Sequence, residues 1–353
     1  QNLCDVHLLL AQIYIEQERY EEAISASRQA LRLHPDNLQG LNLTGIALRR
    51  SGQVDEAIVM YQKALKLRPD QARVLYNLGI AWAKKGELEK AATLYLRAIE
   101  LKPRYAEAYS NLGDIYLRMR KDEEAKEALL KAVAADPEFA LAYSNLAEAY
   151  FRKGEYQESR EMVEKALALD PGLAGGHNMR GKIYHQAGEL EKAKAEFEKA
   201  LSLNPKYEKA LYNLGNCYLE ENKSAEAKKM FELAVEANPY FAEAHASLGY
   251  FLLLERRGDE ALRELLRSVE LGHESSSVRL NLSTVYLRKG DFDRALAEAR
   301  RALELDPSSS PAHNNLGLAM AGKGLTREAA AEFETALRLS PQDKDALLNL
   351  GGL

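Results

Sequence analysis

The sequence predicts an all-α protein, a solenoid of stacked helix pairs. Three observations carry this prediction: prolines recur every 34 residues, small residues recur at three places within that period, and large apolar residues are spaced three and four apart between them. A fixed period between about 20 and 50 residues is typical of repeat arrays, in which each repeat buries its apolar face against its neighbours. No break in composition interrupts the period, so we predict one continuous array over residues 1–353.

The repeats are bounded by prolines. Proline has no backbone N–H and ends helices, and nine of the ten prolines stand on one ladder: Pro35, Pro69, Pro103, Pro137, Pro171, Pro205, Pro239, Pro307 and Pro341. His273 occupies the rung without proline, where we expect Gly272 to end the helix in a left-handed conformation. Aligned on the ladder, ten repeats begin at residues 4, 38, 72, 106, 140, 174, 208, 242, 276 and 310, and a partial repeat covers 344–353.

Small residues define the interior of each repeat. Position 8, counted from the start of a repeat, is glycine, alanine or serine throughout, and positions 20 and 27 are alanine or serine. Small residues at fixed places allow two helix backbones to approach closely. Glycine at position 15 predicts a tight turn between two helices, and it occurs at Gly52, Gly86, Gly154, Gly188, Gly290 and Gly324. Each repeat is therefore predicted to be helix, short turn and helix.

The combined pattern, W/Y-x2-L-G-x2-Y followed by A-x3-F and A-x4-P, resembles the tetratricopeptide repeat (TPR). The resemblance implies antiparallel helix pairs wound into a right-handed superhelix, with the first helix of each pair lining a concave groove. The repeats are also similar to the long TPR arrays of O-GlcNAc transferases and bacterial TPR adaptors. Since residues 344–353 supply only the start of a repeat, we expect the natural chain to continue beyond Leu353.

Composition and motifs narrow the function. With 48 basic and 53 acidic side chains the net charge is -5, which argues against nucleic-acid and membrane-surface binding. No apolar run approaches the roughly 20 residues that span a bilayer, so membrane insertion is not expected. No metalloprotease, serine-hydrolase, P-loop or dinucleotide motif occurs. His7, His177, His245 and His313 share position 4, a packing position. We expect no enzyme activity, cofactor or metal.

Asparagines recur on the face that the resemblance assigns to the groove, which comprises positions 2, 5, 6, 9, 12 and 13. Position 6 is asparagine at Asn77, Asn111, Asn145, Asn213, Asn281 and Asn315. An amide offers a donor and an acceptor to the main chain of an extended peptide, and the similarity to O-GlcNAc transferase arrays implies such a peptide clamp. Alternatively, these asparagines hydrogen-bond between neighbouring repeats.

The predicted groove changes character along the chain. Position 13 is basic in four successive repeats, at Arg50, Lys84, Arg118 and Arg152. Such a row attracts an acidic segment, or alternatively stabilises the end of each first helix through its dipole. From the seventh repeat the groove becomes apolar, with Tyr212, Leu253, Leu254 and Tyr250 among its residues, and apolar exposure of this kind marks partner contacts.

The sequence thus predicts a protein–protein interaction scaffold that binds an extended peptide or a partner protein in its groove. Two alternatives are a substrate-recognition TPR module of a larger enzyme, such as a glycosyltransferase, and a structural tether in a bacterial secretion or envelope assembly. The acidic C-terminal tails of heat-shock chaperones are not expected as partners, because the TPR clamp for them needs lysine at position 5 and a basic residue at position 6, and neither occurs here. Compartment and oligomeric state do not follow from the sequence.

Overall fold

The computed structural model describes residues 2–353, which form 21 α-helices and no strand. The chain divides into two compact parts: an N-terminal part that ends at Pro205 and a C-terminal part that begins at Lys206. Each part is a stack of antiparallel helix pairs in which the two helices of a pair make the most extensive contact and each second helix packs on the next first helix. The predicted all-α repeat fold is confirmed.

The N-terminal part holds six helix pairs. Its helices are α1 (Asn2–Glu16), α2 (Tyr20–Leu33), α3 (Leu38–Arg50), α4 (Val54–Leu67), α5 (Ala72–Lys84), α6 (Leu88–Leu101), α7 (Ala106–Arg118), α8 (Asp122–Ala135), α9 (Ala140–Arg152), α10 (Tyr156–Leu169), α11 (Ala174–Gln186) and α12 (Leu190–Leu203).

The C-terminal part holds four pairs and one further first helix. Its helices are α13 (Glu208–Glu220), α14 (Ser224–Ala237), α15 (Ala242–Leu254), α16 (Gly258–Glu270), α17 (Ser276–Arg288), α18 (Phe292–Leu305), α19 (Ser310–Gly322), α20 (Thr326–Leu339) and α21 (Lys344–Gly351).

The turn inside each pair has the same backbone conformation in all ten repeats. Position 15 has a positive φ at the six glycines expected there, and also at four residues that carry side chains, Glu18, Arg120, Asn222 and Arg256, with φ of 59° or 60°. Gly272 likewise has φ 88° just after α16 ends, which confirms the helix stop expected at the missing proline. The turn geometry is therefore set by the packing of the two helices, and glycine is the residue that meets it without strain.

The close approach of the two helices is set by position 8 against position 24. A Cβ on Gly45 would lie 2.5 Å from Cε1 of Tyr61, so the ring occupies the space that a side chain would take. Tyr61, Tyr95, Phe197, Phe231 and Phe333, all at position 24, are among the largest fully buried side chains. Position 8 carries a side chain in three repeats, and in each of them position 24 is small or β-branched: Ala11 with Ser27, Ala147 with Val163, and Ser283 with Ala299. The two positions thus share one volume, as close packing requires.

Three histidines at position 4 tie the proline turn to the second helix. His245 Nδ1 lies 2.6 Å from Glu264 Oε2, and its Nε2 lies 3.1 Å from the carbonyl oxygen of Pro239. The same pair of contacts recurs in two further repeats, with distances of 2.8 and 3.0 Å at His177 and 2.7 and 3.3 Å at His313. These side chains bridge structural groups, in keeping with a packing role.

Candidate functional site on the first-helix face

The asparagine ladder connects neighbouring repeats in the N-terminal part. Asn77 Nδ2 donates to Asn42 Oδ1 at 2.9 Å, and Asn111 Nδ2 donates to the Tyr76 hydroxyl at 3.1 Å. Asn145 makes the equivalent bond, 3.1 Å long, to the hydroxyl of a serine. Each bond spans 35 residues, from position 6 of one repeat to position 5 of the repeat before it. The amide N–H groups therefore hold repeats together, as the alternative interpretation had it.

The ladder continues in the C-terminal part with one exception. Asn315 Nδ2 donates to Thr284 Oγ1 at 2.8 Å, and the amide of Asn349 bonds to that of Asn314 at the same distance. The exception is Asn281. Position 5 of the preceding repeat is Ala246, which has no hydrogen-bonding side chain, and the half-buried side chain of Asn281 makes no hydrogen bond within residues 2–353. Asn213 is also half-buried. No ligand tests the peptide clamp, so it stays a prediction. Because the amide N–H groups bond between repeats, this prediction now concerns the amide oxygens.

The basic row at position 13 is divided between packing and exposure. Arg118 Nη1 donates to the carbonyl oxygen of Ala83 at 3.2 Å. Ala83 lies in the last turn of α5, the first helix of the preceding repeat. Arg152 bonds to the matching carbonyl of Leu117 and pairs with Asp122 at 3.3 Å. Both arginines thus satisfy carbonyl groups at a helix C-terminus. Lys84 is exposed at the end of α5, and Arg50 is exposed at the edge of a cleft.

That cleft lies on the first helices of the second and third repeats. It has a volume of about 460 Å³. The cationic cleft, as we name it, is lined by Ile46, Arg49, Arg50, Arg73, Tyr76, Asn77, Ile80, Lys102, Tyr105 and Glu107. Four of these side chains are cations and one is a carboxylate, so the cleft carries a positive field.

The cations of the cleft are not neutralised by the protein. Within residues 2–353, Arg49, Arg50, Arg73 and Lys102 form no ion pair, and Arg49 Nε is buried without a hydrogen-bond partner. Lys102 Nζ lies 4.1 Å from the ring centroid of Tyr105, in a cation–π contact. Elsewhere in the same part, Lys85, Arg152 and Lys153 pair with carboxylates of the preceding repeat.

Aromatic rings form one wall of the cationic cleft. The ring of Tyr76 lies 5.0 Å from that of Tyr105 and 5.8 Å from that of Tyr95. Burial raises the pKa of Tyr105 to about 12, an effect that nearby Tyr76 and Glu107 strengthen and Arg73 opposes. The Tyr105 phenol therefore remains protonated at neutral pH and can donate a hydrogen bond.

The apolar face expected in the C-terminal part is smaller than its sequence suggests. Leu254 is 56% exposed and Tyr250 42% exposed, and they lie one turn apart on α15. Leu253 was expected beside them, but it is buried because it points into the core between helix pairs. Tyr212 is half-buried, and its ring packs 5.4 Å from that of Phe241. Of the residues expected on this face, Tyr250 and Leu254 on α15 are thus the most exposed.

Three of the four cations of the cleft were not singled out by the sequence. Arg49 and Arg73 occupy positions 12 and 2 of successive repeats, and both positions lie on the predicted groove face. A count of the charged residues at every groove position would have found them. Lys102 lies in the loop after α6, and no helix periodicity points to it. No group of three or more metal-binding side chains is arranged around a possible ion in the described part of the chain. None of its helices is both long and apolar enough to cross a membrane.

The fold and this face together define an α-helical repeat protein of the interaction-scaffold class. Models of the tetratricopeptide repeat match residues 43–106, 110–174, 280–344 and 321–353, a second such model matches 184–249, and a third matches 2–70. The chain belongs to the tetratricopeptide repeat family. Proteins of this family serve in general as protein-interaction scaffolds.

Solved structures agree with this fold. The Cut9–Hcn1 hetero-tetramer of the APC/C matches with a TM-score of 0.51 and 13% identity, over 99% of this chain and 96% of that chain. YrrB, described as a TPR protein with an unusual peptide-binding site, is 28% identical over 53% of this chain and 96% of its own, with a TM-score of 0.45. PilF of Pseudomonas aeruginosa is 27% identical over 60% of this chain and 97% of its own, with a TM-score of 0.48. No curated protein matches the chain.

Proposed function

We propose that this protein is an interaction scaffold without catalysis of its own, which binds an extended peptide segment of a partner protein along the first-helix face of its N-terminal part. The observation that carries the proposal is the cationic cleft, where Arg49, Arg50, Arg73 and Lys102 line the same space as two tyrosines and form no ion pair within residues 2–353. Groups of this kind recognise the charged and polar groups of a peptide.

The geometry of the first-helix face supports an extended ligand. The α3, α5, α7 and α9 helices present equivalent positions at intervals of one repeat, so a chain lying across them meets similar groups in succession. Leu141 is 37% exposed at position 2 of α9, two repeats after Arg73 at the same position. A ligand that enters the cationic cleft can therefore continue over several first helices.

The asparagine ladder does not offer a clean test of binding. Replacing Asn111 or Asn145 by alanine removes a hydrogen bond between repeats together with any contact to a ligand. If such a variant no longer binds a peptide, the cause can be altered packing between repeats as readily as a lost contact with the peptide.

Site-specific photo-crosslinking separates these effects. A photo-reactive phenylalanine analogue is placed at Leu141 or Ile80 on the first-helix face, and at exposed Val59 or Leu96 on second helices as matched controls. The probe is a library of capped random peptides. We expect crosslinks at the first-helix positions and few at the controls. Equal crosslinking at all four positions, or crosslinking at the second helices alone, would contradict the proposal.

A further inference from the structure

We infer that the cationic cleft is a subsite for an acidic residue adjacent to an apolar residue in a bound peptide. The carboxylate is received by Arg49, Arg73 and Lys102, and the apolar side chain by Ile46 and Ile80. The inference rests on the proposed function, because it names the ligand chemistry of the same face.

The charge of the cleft favours an anion from outside. Four cations share a space of about 460 Å³ with one carboxylate, that of Glu107, and none of the four is ion-paired within the described chain. Like charges held close together repel one another, and a bound anion relieves that repulsion. By contrast, Arg152, at the end of α9, forms an ion pair with Asp122 at 3.3 Å. Arg152 thus has a carboxylate partner, whereas the four cations of the cleft have none within residues 2–353.

The guanidinium groups favour a carboxylate. A guanidinium presents a planar fork of N–H donors that matches the two oxygens of a carboxylate. Arg49 is half-buried and Arg73 is exposed, so one is held by the wall of the cleft and the other reaches over its rim. Lys102 is held beside the cleft by its contact with the ring of Tyr105. The three cations therefore line the cleft from two first helices and one loop.

The remaining wall is apolar, which indicates that the ligand carries more than charge. Ile46 and Ile80 occupy position 9 in successive repeats, are half-buried and line the same cleft as the ring of Tyr76. A nucleic acid backbone or a free phosphate would leave this wall unused, whereas an aliphatic side chain buries against it. An acidic residue next to a leucine-like residue uses both walls.

Fluorescence anisotropy with capped, fluorescein-labelled peptides of equal length tests the subsite. One peptide alternates glutamate with leucine, a second replaces glutamate by glutamine, a third replaces leucine by serine, and a fourth replaces glutamate by phosphoserine. We expect the glutamate–leucine peptide to bind most tightly and the glutamine peptide to bind at least about tenfold more weakly, since hydrogen bonds to charged groups carry that much affinity. The serine peptide should bind several-fold more weakly.

Variants place the site. Arg49→Gln and Arg73→Gln should each weaken the glutamate–leucine peptide about tenfold. Lys66→Gln removes the same charge from an exposed position on α4, a second helix, and should leave the affinity unchanged. Far-UV circular dichroism checks the fold. Should Arg49→Gln unfold the protein, Arg73→Gln and Lys102→Gln, both at exposed side chains, carry the test.

Four outcomes would overturn the inference. The first is that Lys66→Gln weakens peptide binding as much as the cleft variants do, which would mean general charge attraction. The second is tight binding of the phosphoserine peptide alone, and the third is displacement of the glutamate–leucine peptide by a short oligothymidylate. The last is that the glutamate–leucine peptide does not bind. If the last occurs while library peptides still crosslink at Leu141, the subsite is wrong and the peptide-binding function stands. If crosslinking also fails, the proposed function is wrong as well.

Discussion

The side chains of Asn77 and Asn42 form a 2.9 Å amide–amide hydrogen bond across the junction of the second and third repeats. Both side chains are buried, at 6% and 9% exposure, so neither has water to replace its partner. At the junction before it, the same two positions are held by Leu43 and Leu8, both buried in the apolar core. The array therefore joins its repeats by either of two chemistries at one structural position.

Removal of one amide from this pair should destabilise the junction. Asn77→Ala leaves the buried amide of Asn42 without its partner, and we expect the free energy of unfolding in urea to fall by about 1–3 kcal/mol. Asn281→Ala is the matched control, because that asparagine makes no hydrogen bond within the described chain and should cost clearly less. The double variant Asn42→Leu/Asn77→Leu copies the preceding junction and should be close to neutral. A double variant as unstable as Asn77→Ala would contradict this account.

The hydroxyl of Tyr61 should make stability depend on alkaline pH. Burial raises the pKa of Tyr61 to about 12, against the opposing charge of Arg49. A pKa raised by folding gives stability that is complete below about pH 10 and is lost as the pH rises through 12, by roughly 2 kcal/mol. Tyr61→Phe removes this loss, and phenylalanine already occupies the equivalent position at Phe197 and Phe231.

Thermal unfolding between neutral and alkaline pH checks the effect of Tyr61→Phe. An alkaline fall as steep in the variant as in the parent protein would assign the effect to other groups.

Glycine should stabilise the turns that lack it. Arg120 has φ 60° at position 15, a conformation that costs a residue with a side chain about 1–2 kcal/mol. Arg120→Gly should raise the free energy of unfolding by about 1 kcal/mol, since the greater freedom of glycine in the unfolded chain offsets part of the gain. Gly86→Ala, the reverse change at φ 84°, should lower it by a similar amount. Calorimetric melting of both variants provides the measurement, and a shift of the same sign in both would refute the explanation.

The histidine bridges should contribute to stability. His245→Ala removes contacts to Glu264 and to the carbonyl of Pro239, and leaves the partly buried carboxylate of Glu264 without this partner, so we expect a loss of about 1–3 kcal/mol. His34→Ala changes an exposed histidine and serves as the control. Urea unfolding measures both, and equal small effects would show that the bridge carries no stability.

Periodicity made the fold predictable. Helix bounds, turn glycines and the helix stop at Gly272 depend on local conformation and on a pattern repeated ten times, so each repeat checks the others. The left-handed conformation of Arg120 was not foreseen, because nothing in an arginine favours it and only the packing of its two helices imposes it. Local sequence thus accounts for the elements, and packing accounts for the exceptions.

The site was predictable only in part, because its contacts join different repeats. The sequence identified Asn111 and Arg118 as groove candidates but could not tell whether they face a ligand or a neighbour. That choice depends on how one repeat lies on the next. Arg73 and Lys102 come together only because a loop brings the lysine back beside the first helices, which no single-repeat pattern contains.

The two kinds of junction, amide and apolar, also help to determine which repeats can stack as neighbours. Ten nearly identical helix pairs could stack out of order during folding, since any second helix presents much the same surface to any first helix. An asparagine brought against Leu8 instead of Asn42 would bury an unanswered amide, at a cost of about 1–3 kcal/mol. Correct neighbours are thereby distinguished from their near copies, and the order of the chain is carried into the order of the stack.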